Sequence, residues 1–314
     1  MRVVPVLART TLGARALFVR GHADGWAVVA PDGAVTLLDV NLQERGRWLG
    51  GRRLVDVAVM SDHARLVVAD DATLACRDLA TGAAVWQVPG TFVACRLGRA
   101  GLWAAEHQGD RVAVTLRDVT TGAVLRDVTV PDPFGGATAM LLPHPDPDAV
   151  VVWVAAGQDG QASFLVRDEG RFVSAIEVGG RDRLPPVFTP AGDSFLSAGA
   201  AVLELRAWPA DQLIDALPWS DDEDPVDPEG DELAYLPGGF AAWASAEGRL
   251  YVVDLHELAV VDEVFVDGYP PGASGTSFTY AEPGPGGLVV TVHGDTHTEL
   301  AVTALAAWSP DSER

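Results

Sequence analysis

One structural unit repeats along this chain, and the repeat restricts the possible folds more than any other feature. The unit is a short apolar run, a turn, a strand that ends near an aspartate, a second turn and another apolar run. Similarity at a period of 39 to 50 residues is the signature of a repeat architecture. The strands with the aspartate read AVTLLDV (34–40), TLACRDL (73–79), VAVTLRDV (112–119), ASFLVRD (162–168) and RLYVVDL (249–255). AVLELRA (201–207) and, more weakly, LAVTALA (300–306) are copies of the same strand without the aspartate.

Tryptophan forms a second repeating pattern, which recurs in step with the aspartate-bearing strands. Trp26, Trp103, Trp153 and Trp243 each lie in the strand that precedes one of these aspartate-bearing strands. Glycine and proline, 33 and 21 in number, interrupt the chain every few residues, and valine dominates the apolar runs, so helices are nearly excluded. Only 211–217 has the pattern of a single helical turn. Four short strands in each unit of 40–50 residues are typical of a β-propeller blade.

Seven copies of this strand, five of them with the aspartate, predict an all-β, seven-bladed β-propeller with four-stranded antiparallel blades. The last copy lacks a fourth strand, whereas residues 2–7 (RVVPVL) form an apolar run that belongs to no blade. We therefore expect residues 2–7 to complete the last blade and close the ring, because closure removes open sheet edges. The sequence predicts one domain over 1–310, with 220–231 as an acidic loop between blades and 311–314 as a flexible tail.

Two turns carry a family resemblance. RDLATGAAV (77–85) and RDVTTGAVL (117–125) share the pattern Asp, two residues, Thr, Gly, and resemble the turns of WD-repeat and quinoprotein-like β-propellers. The aspartate carboxylate can accept backbone N–H bonds across the turn, and glycine supplies a positive φ. Trp86, four residues after Gly82, is similar to the docking tryptophan of quinoprotein-like propellers. Because Arg77 and Arg117 stand where WD repeats carry tryptophan, we expect no WD-type His–Asp network.

The charge balance excludes several partners. The chain has 44 acidic and 22 basic residues, all of the latter arginine, for a formal charge of −22. This field argues against binding to nucleic acid or to anionic lipid, which both require clustered cations. No signal peptide or membrane-spanning run is recognisable, so we expect a cytoplasmic protein. No phosphate-binding loop or nucleophile elbow occurs, and no cofactor is predicted.

Acidic residues recur at positions that should share one end of the propeller. The segment 221–232 (DDEDPVDPEGDE) holds eight carboxylates in twelve positions and can be a calcium-binding loop, a docking loop or a solvated linker. Acidic turns between the second and third strands should lie at the same end and attract a cationic partner. The candidate partner-binding residues are Asp32, Asp70, Asp71, Glu106, Asp110, Asp159 and Glu247 in the turns, and Asp221, Asp222, Glu223, Asp224 and Asp227 in the loop.

One short segment has the composition of a metal site. Residues 293–297 read His-Gly-Asp-Thr-His, and imidazole with carboxylate is a common ligand set for zinc and other transition metals. His293, Asp295 and His297 are the candidate ligands; the alternative is an ordinary polar hairpin turn in the seventh blade.

The sequence as a whole favours a non-catalytic scaffold that binds a protein or a cationic peptide through its acidic turns. The alternative is a metal-dependent propeller enzyme, of the lactonase or lyase type, with a site in the central channel. Such an enzyme requires inward-facing histidines or carboxylates from several blades, which strand counting does not reveal.

Overall fold

We analysed a computed structural model of the chain. It describes residues 2–303 except 5, 14–15, 23, 51, 61–63, 136–137, 157–159, 200–201, 219–232, 237, 245–249, 268–276, 281–287 and 294–297. Within these residues, every regular element is a β-strand. The described residues include no helix that is long and apolar enough to cross a membrane.

The strands form seven sheets, which we number as blades one to seven in chain order. Two strands, β1 (Arg2–Val4) and β2 (Val6–Leu12), precede the first blade. Blades one to five each contain four consecutive strands. Blade one contains β3 (Phe18–His22), β4 (Gly25–Val29), β5 (Val35–Asp39) and β6 (Glu44–Trp48), and blade two contains β7 (Leu54–Val59), β8 (Arg65–Asp70), β9 (Thr73–Asp78) and β10 (Ala84–Pro89). Blade three contains β11 (Phe92–Leu97), β12 (Leu102–His107), β13 (Arg111–Arg117) and β14 (Val124–Pro131), and blade four contains β15 (Thr138–Pro143), β16 (Ala149–Ala155), β17 (Gln161–Asp168) and β18 (Val173–Val178). Blade five contains β19 (Val187–Phe188), β20 (Ser194–Gly199), β21 (Val202–Ala207) and β22 (Gln212–Pro218).

Blades six and seven each take up one of the N-terminal strands. Blade six has the order β1-β26-β25-β24-β23 and blade seven the order β2-β29-β28-β27. Their remaining strands are β23 (Leu233–Leu236), β24 (Phe240–Ala244), β25 (Leu250–Asp254), β26 (Ala259–Val266), β27 (Ser277–Tyr280), β28 (Leu288–His293) and β29 (Thr298–Thr303).

The N-terminal strand completes the last blade, as the sequence predicts. β2 pairs antiparallel with β29, from Val6 opposite Thr303 to Leu12 opposite Thr298. This strand lies a few residues further along the chain than the expected 2–7. The preceding strand, β1, instead pairs in parallel with β26 and adds a fifth strand to blade six, which the sequence did not predict.

The two repeating patterns place the strands correctly. All seven copies of the repeated strand are third strands, and the four tryptophans lie in the second strands β4, β12, β16 and β24. Trp26, Trp103 and Trp243 are fully buried. The expected helical turn at 211–217 is wrong, because β22 covers this segment as the outermost strand of blade five.

The described chain divides into two compact units. Unit 1 comprises 1–47, 200–205 and 215–314, and unit 2 comprises 48–199 and 206–214. In unit 1, an apolar cluster joins β4 and β5 of blade one to Leu300 of blade seven. In unit 2, three further clusters fill the spaces between blades two, three, four and the start of blade five. The prediction of a single domain stays a prediction.

The turns between third and fourth strands have the chemistry that their sequences indicate. The Asp118 carboxylate accepts backbone N–H bonds from Thr120 and Thr121 at 2.8 and 2.9 Å, and also accepts both hydroxyls. These bonds, led by the Thr120 hydroxyl, lower the pKa of Asp118. Asp78 accepts the N–H and hydroxyl of Thr81 in the same way. Gly82 and Gly122 follow with φ values of 70° and 73°.

Candidate functional site

Hydrogen bonds between turns define two ends in blades two to four of unit 2. At the first end, each connection to the next blade reaches the turn between the second and third strands. We call this the connection end. At the opposite end, the turns between first and second strands contact those between third and fourth strands. The backbone bonds at the connection end run from Gly90 to Ala72, from Asp132 to Asp110 and from Asp182 to Gln161, and those at the opposite end from Leu79 to Ala64 and from Asp168 to Asp148, all 2.8 to 3.0 Å.

The four sequence-predicted acids of unit 2 that the structure describes differ in what their carboxylates do. Asp71 and Asp110 are exposed at the connection end, and Asp110 has the neighbouring Arg111 at 3.5 Å. Asp70 is only 8% exposed, and one of its carboxylate oxygens accepts the backbone N–H groups of residues 72 and 73. Glu106 is half-buried and accepts the N–H of residue 91 at 3.0 Å. Asp70 and Glu106 therefore hold the backbone, while Asp71 and Asp110 face solvent.

The remaining candidates fall elsewhere. Asp32 is exposed in unit 1, where its carboxylate accepts the Ala34 N–H at 3.0 Å. His293 is the last residue of β28, pairs with Thr298 and therefore borders the predicted hairpin turn of blade seven. Outside the described residues lie Asp159, Glu247, Asp221, Asp222, Glu223, Asp224, Asp227, Asp295 and His297, together with the tail 311–314.

Within the described part of the chain, no three histidines, cysteines or carboxylates come together as a metal site would require. Cys76 and Cys95 are buried in unit 2 and form no disulfide. The described residues thus do not identify a channel site of the kind that the alternative enzyme hypothesis requires.

In unit 2, a series of side chains on fourth strands contacts the following blade at the turn between its third and fourth strands. The Trp86 indole donates to the backbone oxygen of Val119 at 2.9 Å and packs on Gly122, as the quinoprotein-like resemblance implies. Trp48 approaches Gly82 similarly, with Nε1 3.8 Å from where a Cβ on this glycine would lie. In blade three the equivalent residue is an arginine, Arg126, which binds Asp168 of blade four at 2.7 Å.

The series ends at blade four. Trp86 is paired with Cys76 of the third strand, Arg126 with Leu116, and Ile176 with Leu165. Ile176 is therefore the blade-four member of the series, eight residues after its turn aspartate, as Trp86 and Arg126 are. It is 53% exposed. The short aliphatic side chain leaves open the space that larger side chains occupy in the preceding blades.

A cleft of about 690 Å³ lies at this position, at the end opposite to the connection end. Its walls are the turns 144–148 and 169–172 of blade four and 189–193 and 208–211 of blade five. Ile176 and Leu165 line one side, and Trp208 lines the other. Four prolines also line the cleft: Pro145, Pro147, Pro190 and Pro209.

An aromatic cluster supports the cleft. The His144 ring lies 4.4 Å from Phe188 in an edge-on contact, and Trp208 lies 5.7 Å from Phe188 and 6.4 Å from Phe195. The Nδ1 atom of His144 accepts the Asp146 N–H at 3.0 Å, which leaves the imidazole proton on Nε2. Burial lowers the pKa of His144, so the ring is neutral at neutral pH.

Charged groups surround this apolar surface. Arg99 pairs with Asp148 at 3.1 Å, and Arg167 pairs with Asp146 at 2.8 Å. No motif in the sequence marks this cleft. Its only sequence signal is the position of isoleucine where the preceding blades have tryptophan or arginine.

Comparisons with known proteins establish the fold. The chain is similar to the β-propeller domain of Cps50 (Swd1) from Myceliophteria thermophila, with a TM-score of 0.60 and 14% identity over 93% of this chain and 98% of that chain. It is also similar to BamB from Moraxella catarrhalis, with a TM-score of 0.59 and 12% identity over 96% of this chain and 100% of that chain. The chain is a divergent seven-bladed β-propeller.

No protein-family model and no curated protein sequence matches this chain. The likeness to the two propellers lies in the fold, which hosts many unrelated activities. A function must therefore be argued from the surfaces of this chain.

Proposed function

We propose that this propeller is a non-catalytic scaffold that binds a protein partner, and that acidic turns at the connection end attract a cationic region of that partner. The observation that carries the proposal is the convergence of exposed carboxylates on rigidly held turns. Asp71 and Asp110 project from turns whose backbones are fixed by hydrogen bonds to the neighbouring connections.

Rigid turns favour binding because little conformational freedom is lost when the partner docks. Several like charges at one end also raise the association rate with a partner of opposite charge. The formal charge of −22 strengthens this attraction at long range and repels polyanions.

Charge neutralisation tests the proposal. The double variant Asp71→Asn with Asp110→Asn removes two charges from the connection end. The matched control, Asp127→Asn with Glu177→Gln, removes two exposed charges from the outer strands β14 and β18. Each protein is immobilised, and proteins from the native cell extract are captured at low salt and eluted with increasing salt.

We expect wild type and the control to retain the same proteins and to release them above physiological ionic strength. The connection-end variant should retain about two- to thirtyfold less, since each of the two exposed charges contributes about 0.2–1 kcal/mol. Equal capture by both double variants, or capture that salt does not weaken, would contradict the electrostatic part of the proposal.

A further inference from the structure

The cleft between blades four and five has the dimensions of a binding site. A volume of about 690 Å³ lies in the middle of the range of ligand-binding pockets. Its wall is largely apolar: the exposed side chain of Ile176, the half-buried ring of Trp208 and four prolines. Exposed apolar surface inside a concavity with a polar rim is typical of an interaction site.

The preceding blades indicate what kind of group fits this position. In the equivalent place Trp86 lays its indole on the turn at Gly122, which buries the ring to 9% exposure, and its Nε1–H donates to a turn carbonyl. Blade four has Ile176 instead, so its fourth strand sends no ring to the turn of blade five, where Trp208 contacts Phe188 and Phe195 of its own blade. An aromatic side chain from outside would restore the contact that the repeat makes internally.

The charges on the rim specify a second property of the occupant. Both arginines at the cleft already have carboxylate partners, Arg99 with Asp148 and Arg167 with Asp146. In contrast, Glu169 and Asp193 have no basic side chain within 4 Å among the residues that the structure describes. Glu169 accepts only the Ser174 hydroxyl at 3.2 Å.

Hydrogen bonds from neighbouring hydroxyls favour the ionised form of the Asp193 carboxylate. This carboxylate accepts the hydroxyls of Thr189 at 3.0 Å and Ser194 at 3.1 Å, and these bonds lower its pKa. Asp193 and Glu169 belong to different blades, yet both line the same cleft. Two exposed carboxylates beside an apolar surface are complementary to a side chain with a positive charge.

We propose that this cleft docks a segment of a partner protein that inserts an aromatic side chain beside Ile176 and places an adjacent lysine or arginine against Glu169 and Asp193. The site lies at the end opposite to Asp71 and Asp110, so it is a second surface that does not depend on the connection end. The prolines on its walls fix the backbone of the surrounding turns and preserve the cleft when it is empty.

Filling the cleft from within tests the proposal. Ile176→Trp supplies the missing ring in cis, and Val124→Trp places the same ring at an exposed position of β14 outside the cleft. The test peptides are acetyl-Trp-Arg-amide, acetyl-Trp-Glu-amide and acetyl-Ala-Arg-amide. Binding is measured by NMR titration, and folding of each variant by circular dichroism.

We expect acetyl-Trp-Arg-amide to bind wild type and Val124→Trp equally, and at least about threefold more tightly than either other peptide, as an exposed charge pair allows. Ile176→Trp should remain folded and lose this binding. Glu169→Gln with Asp193→Asn should remove the preference for arginine over glutamate while binding of the tryptophan persists.

Three results would overturn the proposal: no binding of acetyl-Trp-Arg-amide to wild type, equal affinity for all three peptides, or unchanged binding by a folded Ile176→Trp protein. Should Ile176→Trp fail to fold, Ile176→Arg, which places there the residue type that blade three carries at Arg126, replaces it in the same titration; the loss of the apolar contact and repulsion of the peptide's arginine give the same expected loss. These peptides do not test the connection end, so failure here leaves the proposed scaffold function to its own experiment.

Discussion

Glycine serves two separate purposes in the turns between third and fourth strands, and Gly122 serves both. Its φ of 73° lies in the left-handed region, as does the 70° of Gly82. In addition, a Cβ on Gly122 would lie 2.6 Å from Cε3 of Trp86, whereas a Cβ on Gly82 would lie 3.8 Å from Nε1 of Trp48. Substitution of Gly82 therefore introduces backbone strain alone, whereas substitution of Gly122 introduces backbone strain together with steric overlap.

We predict that Gly122→Ala lowers thermal stability more than Gly82→Ala. Both variants incur the cost of a left-handed alanine, about 1–2 kcal/mol. Gly122→Ala also forces the buried Trp86 ring to move, which costs a further 1–3 kcal/mol or about 2–6 °C in the unfolding midpoint. Differential scanning calorimetry measures both midpoints. Equal midpoints would show that the indole does not pack on this turn.

His144 links the aromatic cluster to pH. Protonation of Nδ1 would break the hydrogen bond from the Asp146 N–H and place a charge among Phe188 and its neighbours. Burial lowers the pKa of His144 below its ordinary value, while nearby Asp146 opposes part of this effect. A histidine with a lowered folded-state pKa contributes full stability above its unfolded pKa of about 6.5 and loses it as the pH falls.

We therefore expect the unfolding midpoint of wild type to fall between about pH 7.5 and pH 5.5 more steeply than that of His144→Asn. Asparagine can still accept the N–H of residue 146 but does not titrate. At the higher pH the midpoint of His144→Asn should be the lower one, because asparagine loses the ring contact with Phe188, and the gap between the two proteins should narrow as the pH falls. Parallel midpoint curves for the two proteins would contradict a role for this imidazole in acid destabilisation.

At the scale of strands, β2 and β1 contribute differently to stability. β2 closes blade seven and sends Ala8 and Leu12 against the apolar cluster around Leu300. β1 has three residues and adds a parallel fifth strand to blade six, which already has four. Removal of β2 exposes the hydrogen-bonding edge of β29, whereas removal of β1 returns blade six to the size of the others.

Deletion of 2–12 should therefore lower the unfolding midpoint sharply or cause aggregation, since an unpaired strand edge promotes association. Deletion of 2–4 alone should have a much smaller effect. Light scattering and circular dichroism during heating distinguish the two outcomes. A monomeric 2–12 deletion that melts like wild type would disprove closure by this strand.

These elements show which parts of the structure the sequence can predict. Third strands were identifiable because Asp78 and Asp118 organise their turns locally, and second strands because Trp26 and Trp103 recur at the repeat spacing. The parallel pairing of β1 was not identifiable, because three residues carry no register signal. Pairing with a distant strand depends on which edge is nearby in the fold, and a local pattern cannot encode that.

The candidate sites show the same limit. Asp70 and Asp71 are adjacent aspartates that no sequence pattern distinguishes. The structure distinguishes them, because Asp70 is 8% exposed and its carboxylate accepts a backbone N–H bond from its own turn. The cleft at Ile176 arises from a relation between two blades, in which one lacks a large side chain and the next has Trp208. Such relations become visible only when residues far apart in sequence are placed together.

At the scale of the whole molecule, the dominant electrostatic property is an excess of carboxylates. The chain has 44 acidic and 22 basic residues, so 22 carboxylates stay unpaired even if each arginine binds one. Several pairs, such as Arg99–Asp148 and Arg167–Asp146, are substantially exposed and each contributes at most about 1 kcal/mol. We therefore expect repulsion among the unpaired carboxylates to outweigh attraction within the exposed pairs.

Added salt should accordingly stabilise this protein. Raising sodium chloride from about 10 to 150 mM shortens the screening length from about 30 to 8 Å, which weakens long-range repulsion more than attraction between contacting groups. We expect the unfolding midpoint at neutral pH to rise by about 2 °C. The variant with Asp71, Asp110 and Asp127 all replaced by asparagine should begin at a higher midpoint and gain less from salt. A midpoint that falls as salt is added would mean that the ion pairs, rather than the charge excess, control stability.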